Sequence, residues 1–139
     1  MAQLLETTVV SDFRPADMAQ GGQGAPLVPF VDYIIYADED KSRILQNIGG
    51  ISNITVIPKG FKEDLVYAFD TGPGNMMINY AMEKLYMKSF DDKGKIASQG
   101  NLISDLYKEI INHEYLRLNP PKSCGREQFG SSYVEYLLT

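Results

Sequence analysis

The chain has one cysteine, Cys124, one histidine, His113, and no Cys-x-x-Cys pair in 139 residues. An internal disulfide is thereby excluded, which fits a reducing compartment, and so is metal binding by a Cys/His cluster. Basic residues are in the minority, 13 Lys and Arg against 18 Asp and Glu, for a formal charge of -5. Without a basic face to displace counterions, nucleic acid is not an expected partner. No apolar run is long enough to span a bilayer, and the N-terminus lacks the basic-then-apolar order of a signal peptide. These absences predict a cytoplasmic protein with no membrane partner. Internal repeats and low-complexity segments are lacking too, while 44% hydrophobic residues are enough for the core of one domain of ordinary length.

The coarse organisation follows from periodicity and punctuation. Thr7–Phe13 places β-branched residues ahead of a polar turn and reads as a short strand limited by Pro15. A glycine-rich loop covers 21–26, and the apolar stretch Leu27–Ala37 reads as a buried helix or strand, with helix preferred. Arg43–Ile48, Ser52–Ile57 and Leu65–Phe69 are strand candidates separated by Gly49-Gly50 and Pro58-Lys59-Gly60. Connections this short favour antiparallel neighbours, so a three-stranded meander is expected. Met76, Ile78, Tyr80, Met82, Leu85 and Tyr86 then supply the apolar face of a helix packed on that sheet. Asp91–Gly94 reads as a turn. Leu102, Ile103, Leu106, Ile110 and Ile111 predict a second helix, with Ser98–Asn101 available to cap it. Asn119–Glu127 is a polar, proline-led loop, and Ser132–Leu138 a terminal helix or turn. The fold class is α/β with a mixed sheet.

Chemistry concentrates at Phe69-Asp70-Thr71-Gly72-Pro73-Gly74-Asn75, where an apolar strand ends in one carboxylate and a Gly-Pro-Gly turn. A carboxylate at a strand end is positioned by backbone, and glycines let a ligand approach the main chain. Asp70 is the first candidate for a catalytic group, with capping of the following helix as the alternative. The backbone N–H groups of Gly49-Gly50 can cradle phosphate oxygens or form a plain hairpin. Adjacent strands would bring these two glycine turns to a common edge. Asp12 and Arg14 fit a local ion pair, His113 a partner for a helix C-terminal dipole, and Lys122, Arg126 and Glu127 a solvated loop or an anion contact. Cys124 has no activating neighbour in sequence and receives no catalytic role.

Five blocks in fixed order, Ser11–Arg14, Gly21–Pro29, Asn47–Asn53, Phe69–Asn75 and Pro121–Glu127, closely resemble the anhydro-N-acetylmuramic acid kinase family. The likeness runs from about Thr7 to the C-terminus, with Cys124 where the family commonly has Thr. It implies the actin, Hsp70 and sugar-kinase superfamily, a ribonuclease-H-like fold whose two domains close over ATP and substrate. The implied reaction opens the 1,6-anhydro ring of anhydro-N-acetylmuramic acid with water and phosphorylates the freed 6-oxygen, in peptidoglycan recycling. By the resemblance Asp70 is the base for that water, and Asp12, Arg14 and Gln23 lie near the sugar. Asn47, Gly49, Gly50, Gly72, Gly74 and Asn75 face phosphate or nucleotide.

One departure matters. The family's first phosphate loop, of Gly-Thr-Met-Ser-Gly-Thr-Ser type, does not occur in this sequence, nor does its adenosine-contacting segment. The resemblance therefore implies the middle of such an enzyme, with 1–40 ending the first domain and 41–139 opening the second. ATP and Mg2+ belong to the complete family enzyme, and neither is expected to bind this chain tightly alone. The chain is accordingly expected to be inactive alone and to form a homo-oligomer through uncovered sheet edges. The competing expectation is a non-catalytic sugar-binding or assembly module derived from the kinase.

Overall fold

The structure is a computed structural model that describes residues 2–22, 24 and 27–139. Its centre is the antiparallel sheet β1 (Arg43–Ile48), β2 (Ile51–Ile57) and β3 (Tyr67–Pro73), in the order β1-β2-β3. Gly49-Gly50 closes the first hairpin, as expected. Residues opposite one another across a ladder share a face of the sheet. Asn47 pairs with Asn53 and Asn53 with Asp70, so these three form a polar row across it, next to an irregularity in register at Ser52/Asn53.

Helix α1 (Ala2–Leu5) and helix α2 (Phe13–Ala19) precede the sheet, as does α3 (Pro29–Tyr36), which Pro29 starts with its preset φ. Helix α3 lies on the face that carries the polar row. The Thr55 hydroxyl donates to Asp32 Oδ2 at 2.7 Å, and the buried Ile57 follows Thr55 in the same alternation. Two more bonds tie the helix to the β2–β3 connection, Tyr33 hydroxyl to Phe61 carbonyl at 2.9 Å and Gly60 N–H to Asp38 carbonyl at 3.0 Å.

After the sheet come α4 (Asn75–Tyr86), α5 (Ser104–Ile111), α6 (Glu114–Arg117), α7 (Arg126–Phe129) and α8 (Ser131–Leu137). Helices α4 and α8 are joined at Glu135, whose Oε1 accepts from Tyr80 at 2.6 Å and Lys84 at 2.8 Å. These contacts hold the Glu135 carboxyl below its ordinary range, the lysine chiefly, and raise the Tyr80 phenol. Tyr115 and Phe129 form the best-buried aromatic pair, edge to face at 5.6 Å.

Several expectations are corrected. Thr7–Asp12 makes no strand, because a strand needs a partner ladder and none lies beside it; the helix α2 begins at Phe13. Strand β3 begins two residues later than expected and continues through Gly72-Pro73, which places Asp70 inside the strand. His113 is an N-cap: its Nδ1 accepts the Tyr115 N–H at 3.2 Å, and its ring lies 4.7 Å from that of Phe129. Ser98–Asn101 caps nothing, since α5 starts at Ser104 without a side-chain cap.

Much apolar surface stays uncovered. Ile44, Ile48 and Tyr67, on the sheet face away from α3, are each at least half exposed, as are Phe30, Ile34 and Ile35 on α3. The accessible surface is 10399 Å², against roughly 7,200 Å² for a compact monomer of this mass.

Candidate functional site

Asp70 is 6% exposed, and three hydrogen bonds hold it from outside the β2–β3 ladder. Its N–H donates to the Lys122 carbonyl at 3.2 Å, its carbonyl accepts the Tyr115 hydroxyl at 2.6 Å, and its Oδ2 accepts the Cys124 N–H at 3.0 Å. The second carboxylate oxygen takes no hydrogen bond from the described residues. Helix capping is excluded for Asp70, because the N-cap of α4 is Gly74, four residues on. The site thus has one carboxylate oxygen clamped by main chain and the other free of clamps, an arrangement suited to accepting a proton from a positioned water.

In the loop that clamps it, Arg126 and Glu127 are exposed as expected of a solvated segment, whereas Lys122 is not. Lys122 is half-buried; its Nζ donates to the Tyr115 carbonyl at 3.1 Å and lies 4.7 Å from the centroid of the Tyr115 ring and 5.9 Å from that of Phe69. Burial raises the Tyr115 phenol well above its ordinary range, which keeps it a donor to Asp70 at any physiological pH. Burial likewise pushes the Cys124 thiol up, with the Asp70 and Glu127 charges adding to the effect.

The two glycine turns do converge. Gly74 N–H and Met76 N–H donate to the Gly50 carbonyl at 2.9 and 3.2 Å, and Asn75 N–H to the Gly49 carbonyl at 2.8 Å. A Cβ at position 74 would collide with the Gly49 carbonyl oxygen, so glycine is required for this approach. The convergence has an electrostatic consequence. The first N–H groups of α4 are taken by these carbonyls, whereas those of Gly49 and Gly50 donate to no described backbone carbonyl. An open cavity of about 920 Å³ beside the junction is lined by Gly50, Asn75, Lys88 and Arg126, with Glu83 further along α4. Its two cations and spare backbone donors suit an anionic ligand.

Other candidates are placed elsewhere. Asn47 lines a separate cavity of about 380 Å³ under α3, with Asp32, Asn53 and Thr55. Gly72, with φ of 140°, sits against Leu116, whose Cδ2 would lie 3.1 Å from an added Cβ. Asp12 and Arg14 are exposed, and no ion pair joins them; Arg14 donates to the Gly24 carbonyl at 2.5 Å, while Asp17 Oδ2 accepts the Gly24 N–H at 2.7 Å. Gln23 lies outside the described residues. Tyr115 and Asp32 were missed by sequence reasoning, and Lys122 was read only as a loop cation; no local signal in the sequence marks their contacts.

Among the described residues no helix is long and apolar enough to cross a membrane. The family model described as anhydro-N-acetylmuramic acid kinase matches residues 1–139. The chain is 55% identical over 133 residues to the anhydro-N-acetylmuramic acid kinase of Francisella tularensis subsp. novicida, which covers 96% of this chain and 35% of the relative. It is 53% identical over 132 residues to the protein of that name from Bacillus cereus strain 03BB102, covering 95% of this chain and again 35% of the relative. The chain therefore spans about a third of the length of the curated relatives it matches.

Proposed function

The chain belongs to the anhydro-N-acetylmuramic acid kinase family, and on that premise we propose that it forms the central part of an enzyme that hydrolyses the 1,6-anhydro ring of anhydro-N-acetylmuramic acid and phosphorylates O6 in peptidoglycan recycling. The carrying observation is Asp70, buried to 6% exposure and held at Oδ2 by the Cys124 N–H beside two docked glycine turns. Asp70 takes a proton from a water whose oxygen bonds to the anomeric carbon. The bond from that carbon to O6 breaks, and O6 accepts the phosphoryl group. A positioned general base contributes about 10²- to 10⁴-fold to such a step.

ATP supplies the γ-phosphoryl group when bound. The residues that fit its phosphates are Gly50, through its spare N–H, with Lys88 and Arg126 from the same cavity wall, and Gly49 is assigned beside them on the family resemblance. Gly74 and Asn75 serve by docking the two turns, since their own N–H groups are occupied. Gly72 carries the turn past Leu116, and Asn47 extends the polar row that ends at Asp70. Mg2+ would enter with the phosphates, which commonly complete its oxygen shell. Asp12, Arg14 and Gln23 are assigned to the sugar on the family resemblance. The reading divides the chain at about residue 40 between the two kinase domains and places the protein in the cytoplasm.

The second reading is an assembly or sugar-binding module, for which the 10399 Å² of accessible surface leaves room without distinguishing it from the first. Incubation of the chain with anhydro-N-acetylmuramic acid and ATP, followed by mass spectrometry, separates the two. We expect no sugar phosphate from the chain alone and weak sugar binding. Tight sugar binding without turnover would favour the module, and turnover by the chain alone would overturn the claim that its ATP site is incomplete.

A further inference from the structure

Lys122 enters no ion pair with a described residue. Its half-buried ammonium instead meets the Tyr115 carbonyl and the faces of Tyr115 and Phe69. Neutral acceptors replace lost hydration only in part, so this arrangement carries a free-energy cost that a solvated lysine would not. What it holds surrounds Asp70. Outside the sheet ladder, the hydrogen bonds that Asp70 makes with described residues involve only Tyr115 and the segment 122–124. Lys122 joins those two: its main chain lies in the segment and its side chain grips Tyr115.

We propose that Lys122 is a positioning residue which, by pinning Tyr115 to the Lys122–Cys124 segment, fixes the Asp70 carboxylate through the Cys124 N–H and leaves its other oxygen for the substrate water. This rests on the reading of Asp70 as base. Lys122 itself touches no reacting atom in this scheme. Its effect reaches the carboxylate through one main-chain hydrogen bond.

Cys124 is the only cysteine of the chain and provides the probe. The groups facing its thiol are Asp70, Glu127, Lys122 and Tyr115. The pH dependence of Cys124 alkylation by iodoacetamide is measured for the parent, Asp70→Asn, Lys122→Met and the double variant. In the parent background Asp70→Asn lowers the alkylation midpoint, because a nearby negative charge is removed. In the Lys122→Met background the same change shifts the midpoint by less than half as much, because the segment no longer holds Cys124 beside Asp70. An equal shift in both backgrounds overturns the proposal. Tyr115→Phe, which keeps the ring and loses the bond to the Asp70 carbonyl, is run in parallel as the variant that preserves packing. Because that variant keeps the carbonyl and ring face that Lys122 grips, the Asp70 effect should persist there, and a loss as large as in Lys122→Met would overturn the proposal by assigning the positioning to the Tyr115 hydroxyl. Turnover is not read, so failure of this cycle leaves the assignment of Asp70 as base standing, and failure of the base assignment leaves the cycle readable.

Discussion

Replacing Gly74 by alanine tests the docking of the two glycine turns. The added Cβ would run into the Gly49 carbonyl oxygen and stand 2.9 Å from Ser52 Oγ, and the obstacle is backbone of a closed hairpin rather than the end of a flexible side chain. Relief requires the turns to separate, which breaks or stretches the bonds from Gly74, Asn75 and Met76 to the Gly49 and Gly50 carbonyls. Three hydrogen bonds at a net contribution of about 0.5–1.5 kcal/mol each give an expected loss of about 1.5–4.5 kcal/mol. Gly50→Ala is the control: its Cβ would make ordinary contact with Met76 Cε at 3.6 Å, and its φ is not in the left-handed region. We expect it to stay within about 0.5 kcal/mol of the parent. The assay is urea unfolding followed by far-UV circular dichroism, at a concentration where the association state of all three proteins is matched. Equal midpoints for Gly74→Ala and the parent would refute the docked arrangement, and with it the reason for placing Asp70 and the Gly49-Gly50 turn in one site.

Other consequences are open to measurement. Thr55→Val removes the donor to Asp32 from a position 3% exposed and should destabilise by about 1–3 kcal/mol, a hydrogen bond to a charged acceptor being worth that much; an unchanged unfolding midpoint would contradict the α3 packing. The Asp91 carboxyl is held below its ordinary range by the N–H groups of Ile96 and Ala97. A depressed carboxyl contributes stability above its unfolded pKa and loses it as pH falls through the folded value, so amide protection at Ile96 and Ala97 should fade below the usual carboxylate range and stay level above it. The uncovered apolar faces and the open edge of β1 predict self-association. Sedimentation showing a monomer at high concentration would count against it.

What could be foreseen from sequence was local. The β1–β2 hairpin followed from short connections, α4 and α5 from apolar faces at helical spacing, and α3 from an apolar stretch that also allowed a strand. Thr7–Phe13 misled because β-branched residues describe a strand only when a partner exists. Gly72-Pro73 looked like the end of β3, yet Ile51 pairs with Pro73, and the ladder carries on past an irregularity at Ser52/Asn53. The catalytic candidate was legible, whereas its clamp was not. Tyr115 and Cys124 are 45 and 54 positions from Asp70, and nothing in their own neighbourhoods signals that they meet it. His113 read as a helix-end charge because Asn112 closes α5 just before it, but it opens the next helix instead.

Asp70 is proposed to remove the proton of the ring-opening water. Its most direct test grafts these residues, with and without Asp70→Asn, into the matching third of the Francisella relative, to which they are 55% identical, and follows formation of N-acetylmuramic acid 6-phosphate. Turnover by the graft is expected, with a fall of at least about 100-fold for Asp70→Asn, the lower end of what a general base contributes. Turnover within a few-fold of the unsubstituted graft would contradict it.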